Sequence, residues 1–281
     1  MKKLILLGIL IPALVHAQRW HVNVFGGISN YSGDLQSKSF TLDQSYAAFG
    51  AGAQYDLTEH ISILSNISLF KVGAADKYNK PDLRFRNLSF QTQIVEWNIL
   101  AEYTFIDLTR KKFSPYVFGG FAVYHFNPYA YDSVGAKIYL HPLGTEGEGL
   151  PEYPNKKPYD LMQVAIPFGF GVKLRISDNV VLAYEFGFRK LFTDYLDDVS
   201  DRYVDQTTLL NARGPKAVEM AYRGGELKGG DPTYPADQTV RGGPKYKDFY
   251  YFTGIRLSFA IESKRDGYYG RGRTDCPPKK L

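Results

Sequence analysis

The sequence predicts an all-β fold: an eight-stranded antiparallel transmembrane β-barrel with short turns at one end and long loops at the other. Three observations carry this expectation. Eight segments alternate apolar and polar residues with the period of two that places successive side chains on opposite faces of a strand. The connections between them take turns between long and short, the pattern produced by short periplasmic turns and long extracellular loops. The chain also opens like an exported protein, with Lys2 and Lys3, the apolar run Leu4 to Val15, and Val15-His16-Ala17 before Gln18. That run is shorter than the roughly 20 residues a spanning helix needs, and no later stretch is apolar for long enough. The expected division is a signal peptide over 1–17, a barrel over 18–261 and a polar tail over 262–281.

The first predicted strand, Trp20 to Asn30, sets Trp20, Val22, Val24 and Ile28 against His21, Asn23 and Phe25, and a polar loop 31–44 follows. The second, Ser45 to Tyr55, is rich in Ala and Gly, which suit walls that approach closely or bend. After the turn 56–60, the third strand, Ile61 to Val72, puts Ile61, Ile63, Ile67 and Leu69 on one face and leads into the loop 73–86. The fourth, about Leu88 to Ile106, is the longest and sets Val95, Trp97, Ile99, Ala101, Tyr103 and Phe105 against Glu96, Asn98 and Glu102. The turn 107–112 joins it to an aromatic fifth strand, Ser114 to Phe126.

Beyond the loop 127–160, the sixth strand, Leu161 to Ile176, opposes Val164, Ile166, Phe168, Phe170, Val172 and Leu174 to Gln163, Lys173 and Arg175. A tight turn, 177–179, leads to the seventh, Val180 to Phe192, with Leu182, Tyr184, Phe186 and Phe188 against Ala183, Glu185, Gly187 and Arg189. The last loop, 193–246, is punctuated by Gly and Pro, and a cap or short helix is expected near Tyr195–Ser200. The eighth strand, Lys247 to Ile261, has an apolar face of Phe249, Tyr251, Ile255, Leu257, Phe259 and Ile261, and should pair with the first to close the cylinder.

Composition agrees: 22 Tyr and 19 Phe against two Trp, with 27 Gly. Tyr serves both the aromatic girdles and the polar interior of such a barrel. The net charge of +5, +3 after signal removal, is too small a bias to argue for nucleic acid. An eight-stranded barrel is just wide enough for its own side chains to fill. Glu96, Glu102, Lys173, Arg175, Glu185, Arg189 and Arg256 are therefore expected to form a paired interior network rather than line a channel.

Little here points to chemistry. His125 and His141, with Asp194 or Asp197, could imitate a rim hydrolase, but no nucleophile with a base at recognisable spacing accompanies them. The run Asp194, Asp197, Asp198, Asp201 and Asp205 lacks the glycine and terminal Glu of an EF-hand loop and reads as a solvated acidic segment. No phosphate loop, Cys/His cluster or dinucleotide fingerprint is present. Neither enzyme activity, a cofactor, a metal site nor a small-molecule substrate is expected.

Three motifs suggest a family. Tyr31-Ser32-Gly33-Asp34-Leu35, Pro115-Tyr116-Val117-Phe118-Gly119-Gly120 and Tyr195-Leu196-Asp197-Asp198-Val199-Ser200, in that order, resemble the PorG-type outer-membrane barrels of Bacteroidetes over nearly the whole mature chain. The resemblance implies a non-enzymatic component of the type IX protein secretion or gliding apparatus, associated with a periplasmic ring of PorK and PorN. Such barrels also have paralogues outside that system, so a general OmpA-like barrel with a structural or extracellular ligand-binding role is the alternative. Outer-membrane lipids are the other expected partner.

The tail after Ile261 is polar and carries Arg271, Arg273 and the single cysteine, Cys276, followed by Pro277-Pro278. It is expected to extend into the periplasm. A lone cysteine in an oxidising compartment makes Cys276 a candidate for a disulfide with a partner.

Overall fold

The computed structural model describes residues 19–243 and 247–261. Eight long strands build it: β1 (Arg19–Ser32), β2 (Tyr46–Asp56), β3 (Ile61–Ala75), β4 (Ser89–Thr104), β5 (Phe113–His125), β8 (Met162–Arg175), β9 (Val180–Leu191) and β10 (Phe249–Ile261). A two-stranded hairpin, β6 (Tyr129–Tyr131) and β7 (Lys137–Tyr139), lies between β5 and β8. The wall runs β3-β2-β1-β10-β9-β8-β5-β4, and pairing of β3 with β4 closes it. The closing seam of β1 and β10 is antiparallel from Trp20 opposite Ile261 to Ser32 opposite Phe249, so the expected pairing of first and last long strands is present. All eight alternating segments are strands of one closed barrel.

The period of two separates inside from outside. Val24, Phe49, Ile67, Leu69, Trp97, Phe121, Val164, Phe170 and Ile255 are exposed on the outer wall, while Asn23, Ser68, Glu96, Asn98, Glu102, Lys173, Arg189 and Arg256 are buried within. Covering one such apolar side chain is worth about 1.5–3 kcal/mol, so a continuous belt of them facing water would cost on the order of tens of kcal/mol. A one-residue slip of any strand would exchange the two sets, which pins the register. Gly50 lets Phe25 lie across the inner wall, where a Cβ would stand 2.1 Å from its ring.

The long connections carry structure of their own. In 193–243 the chain forms α1 (Gln206–Arg213) and α2 (Pro215–Ala221). Asp205 caps α1 by accepting from the Thr208 amide at 2.8 Å, and Pro215 opens α2 where a missing amide costs nothing. Of the cap or short helix expected near Tyr195–Ser200 the helix does not form, because Asp197 there takes the Val199 amide at 2.9 Å and Asp198 adopts a φ of 65°. Aspartates that bond their own backbone compete with helix formation. The signal segment 1–17 and the tail with Arg271, Arg273 and Cys276 lie outside the described residues.

Candidate functional site

Alternation of β4, β8, β9 and β10 delivers the interior charges in two layers. Nearer the short turns, Glu102 accepts from both Lys173 and Arg256, and Lys173 also donates to Thr104 Oγ1 at 2.9 Å. In the same layer Tyr116 donates to Glu185 Oε2 at 2.6 Å, 3.5 Å from which lies Arg256 Nε. Nearer the long loops, Glu96 receives a two-pronged contact from Arg189, both at 3.1 Å, the Tyr250 hydroxyl at 2.6 Å and Asn98 Nδ2 at 2.8 Å. Between the layers there remains a cavity of about 20 Å³ bordered by Phe25, Asn66, Asn98 and Phe118. That is room for about one water molecule.

Six of the seven charges expected inside thus stand in these layers. Arg175 does not: its strand position is inward, but it is the last residue of β8 and reaches Asp178 Oδ1 in the turn at 3.5 Å, at the rim. Strand parity indicates a face and not a depth along the barrel.

From the space between the layers up to the mouth an apolar cluster fills the lumen. Phe25, Phe70, Phe252, Tyr250 and Tyr124 from the wall join Phe126 just past β5 and Leu35, Leu196, Val199 and Met220 from the loops, so the loops close the mouth as a cap. Two of the motifs singled out in the sequence meet there. Tyr31 lies 2.6 Å from Asp197 and 2.7 Å from Asp248, and Asp248 accepts the Leu196 amide at 2.9 Å. Gly33 is required at this junction, since a Cβ would stand 2.0 Å from both the Tyr31 hydroxyl and Asp248 Oδ1.

The cap is rich in buried carboxyls: Glu146, Glu148, Asp194, Asp197, Asp198 and Asp248. The segment expected to be solvated is therefore largely interior, because its aspartates are the acceptors that fold it. Asp198 takes the Thr145 hydroxyl at 2.6 Å and the Tyr159 hydroxyl at 2.7 Å, and Asp194 takes Ser200 Oγ at 2.9 Å. Glu146 receives the Ser200 and Asp201 amides and pairs with Arg241 at 3.0 Å. Arg86 forks onto Asp76 at 3.1 and 2.6 Å and also donates to the Arg241 carbonyl, tying 73–88 to the last loop.

Burial raises the carboxyls against few cations. It lifts Glu148 to about 8, helped by Asp198 and Glu146, and Asp194 to about 7. Asp198 rises to about 6, with Arg241 opposing. Asp197 and Asp248 go well above the usual range, chiefly by burial and next by neighbouring carboxylates.

The rim-hydrolase arrangement is not assembled. His125 is on the outer wall, and His141 contacts the Tyr159 carbonyl at 2.9 Å. Among the described residues no three His, Cys, Asp or Glu side chains are grouped as metal ligands. Arg86, Arg241, Glu146 and Asp248 were not anticipated as site residues: the first three lie in connections without periodicity, Asp248 stands at the very start of the predicted eighth strand, and only folding brings them together.

Residues 2–211, which include β1 to β9 and the Tyr31 and Tyr195 motifs, match the domain of unknown function DUF6089. The chain belongs to that family. Among solved structures it is similar to Neisserial surface protein A, at 10% identity and a TM-score of 0.42 over 86% of this chain and 97% of that one. It is similar also to a major outer membrane protein of Thermus thermophilus, at 12% identity and 0.42 over 88% and 100%. A third likeness is to Ail, the attachment invasion locus protein of Yersinia pestis, solved with the heparin analogue sucrose octasulfate, at 7% identity and 0.41 over 87% and 99%. No curated protein matches the sequence.

Proposed function

We propose that this DUF6089 barrel resides in the bacterial outer membrane as a non-conducting, non-enzymatic component of a type IX-like protein secretion or gliding apparatus. The long loops would be extracellular, and the short turns and the tail periplasmic. One observation carries the reading: the lumen is filled by two charge-paired layers and its mouth is covered by a folded cap. A barrel so built offers surfaces rather than a passage. The exposed apolar belt supports the membrane placement. The assignment to secretion draws on the resemblance to PorG-type barrels, two of whose motifs join in the Tyr31–Asp197 contact.

In this reading a PorK/PorN-like periplasmic ring docks at the short-turn end, with Arg271, Arg273 and Cys276 as the tail's contact residues. Gentle detergent extraction of the outer membrane followed by affinity purification tests it. Stoichiometric periplasmic partners are expected. A barrel recovered alone would overturn the secretion role and favour a general OmpA-like envelope barrel.

A further inference from the structure

The outer wall of β3 and β4 changes character at one height. Leu69 lies opposite Val95, both exposed and apolar, and one pleat further toward the long loops Lys71 lies opposite Gln93 and Gly73 opposite Gln91. The apolar belt ends between those rows, which sets the edge of the membrane on this side. The Tyr46 ring lies over Gly73 at this edge, with Lys71 Nζ 5.0 Å from its centre and its hydroxyl 3.3 Å from Gln91 Nε2. Gln91 in turn accepts from the Tyr129 hydroxyl at 3.0 Å, and Lys137 Nζ stands 3.8 Å from the centre of the Tyr129 ring.

Beside this ladder opens a groove of about 510 Å³ bordered by Tyr46, Tyr78, Tyr131 and Lys77. Among the described residues Lys71, Lys77 and Lys137 have no carboxylate partner, and the groove's own acid, Asp43, is paired with Lys38 at 2.9 Å. Lys77 thus borders a groove that begins where the apolar wall stops, while Lys71, against the Tyr46 ring, and Lys137, against the Tyr129 and Tyr139 rings, stand beside it on the tyrosine ladder, all three without a carboxylate. Tyrosine faces stack on sugar rings, ammonium groups take phosphates as point charges, and the Leu69 and Val95 wall below suits acyl chains.

We propose that this groove binds the phosphorylated sugar headgroup of an outer-leaflet glycolipid, with Lys71, Lys77 and Lys137 on the phosphates. The inference rests on the membrane placement above but not on the secretion role. The full mature chain is reconstituted in neutral phosphatidylcholine nanodiscs, with heat-modifiable gel mobility as a check of barrel insertion. Bisphosphorylated lipid A, phosphatidylglycerol and inorganic phosphate are then titrated in separate arms and followed by native mass spectrometry.

Lipid A is expected to bind at least tenfold more tightly than phosphatidylglycerol, with inorganic phosphate failing to displace it. The triple variant Lys71→Gln, Lys77→Gln, Lys137→Gln should insert normally and lose tenfold or more in lipid A affinity, whereas Lys111→Gln, Lys112→Gln in a short turn should not. Equal binding by wild type and triple variant, equal affinity for phosphatidylglycerol, or displacement by phosphate overturns the inference. Failure of the wild type to insert condemns the membrane placement instead.

Discussion

Tyr31 and Asp197, 166 positions apart in the chain, meet at 2.6 Å in the buried floor of the cap. The same hydroxyl lies 2.7 Å from Asp248. A tyrosine hydroxyl carries one proton, so it donates to one carboxyl and must accept from the other. One of the two aspartates therefore holds a proton in the folded cap, consistent with the upward shift of both by burial and neighbouring carboxylates.

The first prediction follows from that proton. In Asp197→Asn, the remaining oxygen keeps the Val199 amide and the new amide donates to Tyr31, which donates to Asp248; stability should change by less than about 0.5 kcal/mol. Tyr31→Phe leaves two buried carboxyls without their partner and should cost about 1–3 kcal/mol of cap stability. Hydrogen exchange of residues 193–243 measures both, and an Asn variant as damaging as the Phe variant would rule out the shared proton.

Acidity should act on the cap in a definite direction. Asp194 at about 7 and Glu148 at about 8 are raised above their unfolded values by burial, so their contribution is complete below about pH 4. It is lost progressively from about pH 4 and is gone once pH has risen through the folded values of about 7 and about 8, when both must ionise among Asp34, Glu146 and Asp198. Cap amides should exchange faster at pH 8.5 than at pH 5.5 after correction for intrinsic rates, by a free energy on the order of 1–3 kcal/mol. Glu148→Gln should flatten the profile; faster exchange at the lower pH would contradict the sign.

The interior network gives a separate test. Arg189→Ala leaves Glu96 buried with its hydroxyl and amide donors but no cation, and should cost about 3–5 kcal/mol in urea unfolding of the folded barrel. Arg175→Ala should cost less than about 0.5 kcal/mol, because its partner Asp178 is 91% exposed. Wild-type protein in planar bilayers should show no stable unitary conductance.

The contrast between Arg189 and Arg175 also marks what was legible in the sequence. Both occupy inward positions of alternating strands, and alternation is the direct consequence of a two-residue repeat. How far along the barrel a side chain sits depends on the strand's tilt and end, which the local pattern does not encode. The loops were opaque for a different reason. Asp197 and Asp198 look like any polar loop residues until Tyr31, Tyr159 and Thr145 arrive from distant segments as their donors. What the sequence did reveal was that Tyr31–Leu35 and Tyr195–Ser200 were unusual; that they touch is a product of closure.

Gly33 provides the last test, because its role differs from that of a glycine chosen for its backbone angles. Gly214, at a φ of 84°, has nothing within 4 Å of a built Cβ, so Gly214→Ala meets only backbone strain of about 1–2 kcal/mol. At Gly33 the obstruction is the Tyr31 hydroxyl and Asp248 Oδ1, each 2.0 Å away. Neither can retreat cheaply: Tyr31 and Asp248 are nearly fully buried, and Asp248 is fixed through its other oxygen by the Leu196 amide. Gly33→Ala should therefore break the same bridge that Tyr31→Phe breaks and accelerate exchange over the same residues. Because both changes remove one interaction, the double variant should lose little more than the worse single one. Additive losses would show that Gly33 serves the fold elsewhere.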